Sequence, residues 1–471
     1  MGRGGLCKSL LIAGLVFSLV YILLSSYPCC QSSSHLLSSF SKGWNSYAHG
    51  SSAIQPTTPT DISHIVFGIA GSASTWRSRR NYIEAWWRPN VTRGYVWLER
   101  FPTDYFPWSP SSPPFRVSED TGRFKDYDRH GMRFAIRMVR VILETFREDH
   151  EDVRWYVMAD DDTVLVIDNL VKLLSTYDHN NYLYIGHSSE CTSANALNSY
   201  EMAFGGAGYA LSYPLAKAVV SHLDECVKRY PTLFGSDHIL QSCISELGIS
   251  LTHERGFHQI DLRGDISGFL SAHPQVPFIS LHHLDVVEPI FPSMDRYQSL
   301  RHLMKAAEAD SSRLLQQTIC YDKNNSWSLS ISWGYSAHIY ERIQYPSILQ
   351  MPIETFKPFS SWARPAFVFN TRPPSRHPCE APHVFFFQSV VPASATEFLT
   401  TYTRRSPRWL PPCSSNGNHS ADRISEVRVF SSAKRLDWIG TRRECCDFVG
   451  NSGMNVSEVR IRTCMENEGL T

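Results

Sequence analysis

Three consecutive aspartates, Asp160, Asp161 and Asp162, follow a short apolar run at residues 155–159. A strand that ends in carboxylates presents them at the carboxyl edge of a sheet, where open α/β folds bind their ligands. Carboxylate oxygens are hard ligands that suit Mg²⁺ or Mn²⁺, above all when the substrate brings phosphates. Because adjacent like charges repel, a bound cation would stabilise the cluster. The triplet predicts a divalent cation that holds a diphosphate; the alternative is an acidic turn in solvent.

Two other groups of residues could serve the same site. Arg77 and Arg79 follow the first apolar run, and at a strand-to-helix turn guanidinium groups can pair with phosphate. The alternative is a basic helix face in solvent. His282 and His283 follow a later apolar run, and imidazole suits manganese better than magnesium. A single histidine is more commonly a core or surface residue than a metal ligand.

The elements that must position these residues alternate along the first part of the chain. Apolar runs predict strands at residues 64–70, 95–98, 155–159 and 182–186, and helical spacing predicts helices at 76–87, 132–146, 215–229 and 239–247. This alternation predicts an α/β domain with a mainly parallel sheet at residues 61–299. A helix at 300–309 and then short β-like runs follow, at 327–333, 366–369, 383–391, 427–430 and 459–462. Prolines and cysteines separate these runs, which predicts a β-rich, disulfide-containing domain at residues 300–471.

Composition limits the possible partners and compartments. The 471 residues carry no net charge, so nucleic acid is not an expected partner. Nine of the 12 cysteines lie beyond residue 190 without paired zinc spacing, which predicts disulfides in an oxidising compartment. Because nine is odd, at least one thiol is free or paired between chains. Four acceptor sequons fit the same compartment, at Asn90, Asn324, Asn418 and Asn455.

The N-terminus has the pattern of a membrane anchor. Arg3 and Lys8 precede an uncharged apolar run, which predicts a cytoplasmic tail at residues 1–9 and a signal-anchor helix at 10–27. Residues 28–60 are rich in Ser, Thr and Pro and predict a flexible stem. We therefore expect a single-pass type II protein of the Golgi or endoplasmic reticulum membrane, held by this one helix. The alternative is a cleaved signal peptide.

Four segments resemble motifs of the Fringe-type β-1,3-glycosyltransferases, glycosyltransferase family 31. Residues 155–163 resemble the family's metal motif, and residues 75–79 with the later Trp86 and Trp87 resemble its Arg-Ser-Arg and tryptophan segments. Residues 204–208 resemble its Gly-Gly-Ala-Gly turn, and residues 283–285 its His-Leu-Glu segment. Their order holds from about residue 62 to 292, and later segments resemble the plant Fringe-related branch.

This resemblance implies a glycosyltransferase A-type, Rossmann-like nucleotide-sugar domain with a divalent metal, usually Mn²⁺. It implies that Asp162 and His283 are metal ligands, with His282 as the fallback for the histidine. Asp160 and Asp161 would lie at the nucleotide and at the water shell of the metal. Arg77 and Arg79 would then contribute to the nucleotide pocket.

The resemblance also implies a general base at Asp237. The family places an aspartate after a turn that opens a helix, and residues 235–238 fit that position. A helix N-cap is the alternative role for Asp237 and requires the same placement. His238 stands where the family often has a second acid. Glu254, Arg255, His258 and Asp265 lie in a loop between the proposed base and the histidine pair, and we assign them no role.

The predicted function is a metal-dependent inverting transfer of a hexose from a UDP-sugar to a hydroxyl of a glycan, glycoprotein or other acceptor. By resemblance, the new bond is β-1,3. One alternative is a catalytically inactive glycan-binding protein on the same fold. A metal-dependent luminal phosphohydrolase is less well supported, because a two-metal site needs a second cluster of carboxylates or histidines that the sequence does not offer.

Overall fold

The computed structural model describes residues 58–130, 133–414, 419–437, 442–450 and 455–469. The predicted cytoplasmic tail, the signal-anchor helix, nearly all of the stem and the Asn418 sequon lie outside these residues. None of the helices within the described ranges is long and apolar enough to cross a membrane. The segment Pro59–Thr471 forms one compact unit.

The first part of this unit contains a seven-stranded sheet in which most neighbours are parallel. The strands up to residue 281 are β1 (Ile65–Ala70), β2 (Arg93–Leu98), β3 (Phe115–Val117), β4 (Trp155–Asp160), β5 (Val164–Leu165), β6 (Tyr184–Gly186), β7 (Tyr209–Ser212), β8 (Leu251–His253), β9 (Leu262–Gly264) and β10 (Ser280–Leu281). The large sheet has the order β3-β2-β1-β4-β7-β6-β8, and only β7 is antiparallel to its neighbours. The predicted α/β class and the mainly parallel sheet are confirmed.

Helices connect these strands and cover the sheet. They are α1 (Trp76–Glu84), α2 (Arg133–Arg147), α3 (Ile167–Leu174), α4 (Thr192–Leu197), α5 (Tyr213–Arg229), α6 (Ser236–Glu246), α7 (Ser267–Leu270), α8 (Arg296–Asp310) and α9 (Pro346–Leu349). The helices predicted at 132–146 and 215–229 agree with α2 and α5 to within two residues at each end. Their apolar faces give these helices their packing surface.

The two central strands are buried on both faces, which explains why their sequences read as continuous apolar runs. Successive strand side chains point to opposite faces. In β1, Phe67 belongs to one buried cluster and Val66 to another. In β4, Val157 and Tyr156 divide in the same way. Helices therefore pack on both sides of β4, and its carboxyl end, with the aspartates, opens at the edge of the sheet.

The second part of the unit is an eight-stranded, mostly antiparallel sheet. Its strands and one additional short strand are β11 (Gln317–Asp322), β12 (Trp327–Ser332), β13 (Ser336–Tyr340), β14 (Phe356–Pro358), β15 (His383–Pro392), β16 (Glu397–Arg404), β17 (Glu426–Ser432), β18 (Cys445–Gly450) and β19 (Val456–Arg462). The sheet order is β11-β12-β13-β15-β16-β17-β19-β18, and β14 pairs instead with β9. The prediction of a β-rich C-terminal region is confirmed, but the strand predicted at 366–369 is wrong. Only Phe367 forms an isolated bridge there, and the aromatic rings of this run fill a hydrophobic cluster.

Disulfides join elements in both parts of the unit. Four bonds form among the described residues, joining Cys226 to Cys243, Cys320 to Cys446, Cys379 to Cys413 and Cys445 to Cys464. Cys320 and Cys446 lie on β11 and β18, so the two edge strands of the sheet are covalently joined. Cys191 is the free, buried thiol, in agreement with the odd number of cysteines.

The two sheets share one hydrophobic core. A single buried cluster contains Phe67 and Val157 from the first sheet together with Leu329 and Val429 from the second. Strand β14 adds backbone pairing across the same boundary, since Phe356 pairs with Gly264 of β9. The division into domains at residues 299 and 300 remains a prediction.

Candidate active site

A short strand pair brings the acidic triplet and the histidine pair together. After β4 the chain turns through the aspartates and enters β5, where Val164 pairs with Leu281 of β10. Val164 lies two residues after Asp162, and Leu281 comes directly before His282. The two-residue ladder therefore fixes the distance between them, and His282 Nε2 lies 3.0 Å from Asp162 Oδ1. Asp160 Oδ2 lies 4.0 Å from the same nitrogen.

A backbone carbonyl on the side away from the carboxylates orients the imidazole of His282. Its Nδ1 lies 3.2 Å from the Gln259 carbonyl oxygen, so Nδ1–H donates there and Nε2 faces the carboxylates. Gly206 lies against the other side of the ring, where an added Cβ would be 2.1 Å from Cε1 of His282. The glycine turn is therefore required by the close approach of this ring.

Arg79 of α1 neutralises much of the acidic cluster. Its guanidinium donates to Asp161 Oδ1 at 2.9 Å and to Asp285 Oδ2 at 3.0 Å, and Nη2 is 3.1 Å from Asp162 Oδ2. Burial alone would lower the pKa of Arg79, but the carboxylates of Asp162 and Asp161 raise it well above its ordinary value. In the described structure Arg79 positions carboxylates, and its predicted contact with the nucleotide remains a prediction.

Asp161 ties the acidic turn to the loop after β1. Its Oδ2 accepts from the Ser72 backbone N–H at 3.1 Å, while Oδ1 accepts from Arg79. The side chain is nearly inaccessible, with 2% of the residue exposed. Asp161 therefore holds the site in shape, whereas Asp160 is partly open to solvent.

Burial and charge set the protonation of the cluster. Burial raises the pKa of Asp160 to about 7, with Asp162 and other carboxylates adding to the rise against the opposing charge of His282. Burial would also raise the pKa of Asp162, but His282 and Arg79 hold it at about 2. The His282 pKa rises to about 9, because Asp162 outweighs the effect of burial. The Asp162 carboxylate and the His282 imidazolium are thus a tightly coupled ion pair.

The residues fit a divalent cation. One oxygen each of Asp160 and Asp162 and one ring nitrogen of His282 lie within 4.8 Å of one another. Asp162 Oδ2 is buried and accepts no hydrogen bond, because the nearby Arg79 nitrogen is not aligned with it. Two carboxylates and an imidazole form a donor set that suits manganese.

Asp237 lies on the other side of the same glycine turn. It is the second residue of α6, and its Oδ2 accepts from the Gly205 backbone N–H at 2.9 Å. A Cβ at Gly205 would lie 2.5 Å from Asp237 Oδ1, so this glycine also allows a close approach. Burial raises the pKa of Asp237, which makes its carboxylate a better proton acceptor. Gly235 occupies the N-cap position of α6, so the structure does not give Asp237 the alternative N-cap role.

The structure does not bring all the predicted site residues together. His283 does not belong to the cluster of possible metal ligands: its Nδ1 lies 3.3 Å from the Ile260 carbonyl oxygen and 3.5 Å from Asp261 Oδ1. The fallback, His282, is the histidine that joins the cluster, while the metal-ligand role of His283 remains a prediction. Arg77 is exposed on α1.

Sequence reasoning missed three supporting residues. Gln259 orients His282, Asp285 accepts from Arg79, and Thr163 joins the acidic turn to the glycine turn. Thr163 Oγ1 accepts from the Asp160 backbone N–H at 3.0 Å and donates to the Gly206 carbonyl at 2.7 Å. For Asp285, the acid of the His-Leu-Asp segment was a usable signal in the sequence. For Gln259 and Thr163, no feature of the sequence indicated these contacts.

The structure defines the class as far as an α/β fold: an open, mostly parallel sheet with this acidic turn at the carboxyl end of its central strand, as predicted. Residues 194–446 match the model of the family described as "Protein of unknown function, DUF604". These residues are more than half of the chain, and the chain belongs to that family.

Two relatives are similar over a shorter stretch. The β-1,3-glucosyltransferase of Mus musculus is 29% identical over 148 residues, which are 31% of this chain and 29% of the relative. That of Homo sapiens is 31% identical over 150 residues, which are 32% of this chain and 28% of the relative. The chain thus spans less than a third of the length of either relative. These findings support the assignment to glycosyltransferase family 31 that the resemblance predicted.

A comparison with solved structures gives a weak structural match. The crystal structure of core-mannan synthase A from Aspergillus fumigatus, in its Mn/GDP form, matches with a TM-score of 0.27 and 8% identity. The match covers 43% of this chain and 74% of that chain. So weak a likeness supports no conclusion about the site.

Proposed function

We propose that this protein is a metal-dependent inverting glycosyltransferase. It would transfer a hexose from a UDP-sugar to a hydroxyl of a glycan, glycoprotein or other acceptor and form a β-1,3 bond. The observation that supports this most strongly is the arrangement of Asp160, Asp162 and His282 on one side of the glycine turn and Asp237 on the other. The names of the two partial relatives favour a glucosyl donor and a β-1,3 linkage.

Asp160, Asp162 and His282 would hold the cation, preferably Mn²⁺. When bound, the cation would act as a Lewis acid on the departing nucleotide diphosphate. Arg79 holds Asp161 and Asp162 in place for this role and helps to keep Asp162 ionised. His282 must be neutral to serve as a ligand, so cation binding would displace its proton.

Asp237 would act as the general base. Inversion in one step requires a carboxylate that takes the acceptor proton as the acceptor oxygen attacks the anomeric carbon. The Gly205 N–H bond orients the Asp237 carboxylate and leaves it able to accept a further proton. Asp237 and the cation ligands flank the same turn, so acceptor and donor would meet over Gly205 and Gly206.

The proposed cellular setting follows from sequence features outside the described residues. We propose a type II membrane protein anchored by residues 10–27, with residues 28–60 as the stem and the remainder in the lumen of the Golgi or endoplasmic reticulum. Four disulfides among the described residues support an oxidising compartment.

The test is a screen of nucleotide-sugar donors with the full-length protein in detergent, followed by release of nucleotide diphosphate with and without Mn²⁺. We expect turnover with a UDP-hexose, a loss of at least about 100-fold in Asp162→Ala, and a loss in Asp237→Asn that leaves Mn²⁺ binding intact. Asp178→Asn, an exposed aspartate in a loop, is the matched control and should retain activity.

Two outcomes would overturn parts of this proposal. Unchanged turnover in Asp162→Ala would show that the site is elsewhere. No turnover with any donor, together with retained glycan binding, would favour the glycan-binding alternative.

A further inference from the structure

A second cavity lies beside the candidate active site, on the other side of the segment that supports His282. Its volume is about 1010 Å³, at the upper end of the range for pockets that enclose organic ligands. His187, Glu190, His258 and His273 line it from the first part of the unit, and Arg443 lines it from the second. The cavity therefore lies between the two sheets, where no predicted site residue is found.

Arg443 brings an uncompensated positive charge to this cavity. One of its guanidinium nitrogens donates to the backbone carbonyl and side-chain oxygen of Gln317, at 2.6 and 2.7 Å. No described carboxylate lies within ion-pair distance of Arg443, and burial lowers its pKa to about 10. A partly buried guanidinium without an acidic partner favours an anionic ligand, because the remaining donors fit a carboxylate.

Arg255 adds a second positive charge at the cavity. It is exposed, and it also has no ion-pair partner among the described residues. The acid of the cavity wall, Glu190, is buried, and its oxygens are occupied by His258 Nδ1 at 3.1 Å and the Ile260 N–H at 2.8 Å. Burial also raises its pKa to about 7, which weakens its negative charge, so the charged groups free to meet a ligand are the two guanidinium groups.

A buried chain of three side chains supports this wall of the cavity. Glu190 Oε1 lies 3.1 Å from His258 Nδ1, and His258 Nε2 lies 2.9 Å from His273 Nε2. His258 and His273 are only 3% and 1% exposed, so they form the base of the wall. The contacts of a ligand would therefore come from the more accessible side chains around them.

The other walls suit a sugar. Tyr200 and Phe369 offer aromatic faces, and Gln275, Gln317 and Asn370 offer amides for hydroxyl groups. A saccharide that carries carboxylates has groups to match each part of this lining: carboxylates for the arginines, hydroxyls for the amides and apolar ring faces for the aromatic rings.

We propose that this cavity binds an acidic saccharide, with Arg443 and Arg255 on its carboxylates and the amides of the wall on its hydroxyls. The proposal does not depend on the transfer activity. The cavity and the candidate active site share the segment around residues 257–261: His258 faces the cavity, while the Gln259 carbonyl orients His282.

The test is calorimetric titration of the full-length protein in detergent with trigalacturonic acid as the probe. The control ligand is its fully methyl-esterified form, which keeps the sugar rings and removes the charges. We expect the acid to bind at least tenfold more tightly than the ester. Arg443→Gln and Arg255→Gln should each weaken the acid at least tenfold, and Arg443→Lys should weaken it less than Arg443→Gln. Arg442→Gln, the exposed neighbour, should bind like the unchanged protein.

Further measurements distinguish binding in this cavity from binding in the candidate active site and from non-specific attraction of anions. Asp162→Ala should lose Mn²⁺ binding and retain the probe, so failure of the proposed transferase activity would leave this result standing. Since Arg443→Gln removes bonds to Gln317, its thermal unfolding is measured too, and Arg255→Gln provides the test if the former variant does not fold. Equal affinity for acid and ester, unchanged binding in both arginine variants, or inorganic phosphate binding as tightly as the probe would overturn the proposal.

Discussion

At the scale of single residues, Gly205 and Gly206 determine how closely two side chains can approach one turn. The backbone of Gly205 contacts Asp237, and that of Gly206 lies against His282. Neither glycine is explained by a positive φ, since Gly208 is the residue of this turn with that conformation. These positions require glycine because a Cβ would collide with Asp237 or His282. A substitution should therefore change the geometry of the site more than the stability of the fold.

Gly206→Ala should displace His282 from the acidic cluster. The new Cβ would lie 2.1 Å from Cε1 of the ring, and neither the backbone nor a buried ring can give way without cost. We expect a loss of Mn²⁺ affinity of about 10- to 100-fold, as for other changes that misorient a ligand. Mn²⁺ titration followed by electron paramagnetic resonance checks this. Gly469→Ala, where a Cβ meets nothing within 4 Å, is the control, and equal affinity in both variants would contradict the assignment of His282.

A buried carboxylate in the second sheet should make stability depend on pH. Glu341 accepts from His383 at 2.8 Å, from the Cys413 N–H at 2.7 Å and from the Ala421 N–H at 2.9 Å, with Arg408 2.8 Å away. Although burial would raise the pKa of Glu341, these partners lower it from 4.5 to about 2.

Because the folded-state pKa is lowered, the stabilisation is present above about pH 4.5 and is lost as the pH falls towards 2. It amounts to about 3 kcal/mol at pH 7. Urea unfolding at pH 7, 5 and 3 should show Glu341→Gln much less stable at pH 7, with the gap narrowing to less than half at pH 3. A constant gap would mean that the titration of Glu341 has no part in the effect.

At the scale of elements, the acidic turn after β4 and the glycine turn before β7 are joined through Thr163. Thr163→Val keeps the shape of the side chain and removes both hydrogen bonds, leaving a buried backbone N–H and a buried carbonyl without this partner. We expect a loss of about 1–3 kcal/mol in the free energy of unfolding and weaker Mn²⁺ binding. Chemical denaturation and Mn²⁺ titration measure the two effects. Thr103→Val, at an exposed position, should change neither, and a Thr163 variant that behaves like it would remove this link.

The sequence predicted elements best where burial is continuous. Strand β4 has apolar neighbours on both faces, so its run and the aspartates that end it could be recognised directly. The run at 366–369 is equally apolar, but its rings pack against Phe356 and Phe269 rather than forming a ladder. Apolarity alone does not distinguish these two outcomes.

The choice between His282 and His283 could not be made from the sequence. His283 has a φ of 56°, an uncommon left-handed conformation for a residue with a Cβ, and the chain turns there. That backbone turn decides which ring faces Asp162. The resemblance favoured His283, whereas tertiary structure places His282 in the cluster.

At the scale of the whole molecule, the first sheet depends on the second for burial. The common cluster includes Phe67 and Leu281 near the site and Leu329 and Val429 in the second sheet. A fragment of residues 59–299 would expose this surface to water. We expect it to lack a cooperative thermal transition, whereas residues 59–471 should unfold cooperatively when followed by circular dichroism. A fragment that folds and binds Mn²⁺ would instead support separate domains.

Residues that lie far apart in the chain also form the second cavity. Glu190, His273 and Arg443 are separated by more than 80 residues at each step, so no local pattern could group them. Arg255 and His258 could be assigned no role from the sequence, because nothing near them in the chain indicates their partners. Only the packing of the two sheets shows what these side chains share.

Through its buried thiol, Cys191 can report when the segment that covers it moves away. Its thiol donates to the Ser360 carbonyl, and its backbone bridges Phe367, so the sulfur is covered by the same segment that supplies β14. A thiol reagent can reach it only after that segment lifts away. In a chain whose three N-terminal cysteines are replaced by serine, the rate of thiol labelling at Cys191 would report how frequently this segment opens. A bound saccharide that contacts both walls of the cavity should lower that rate.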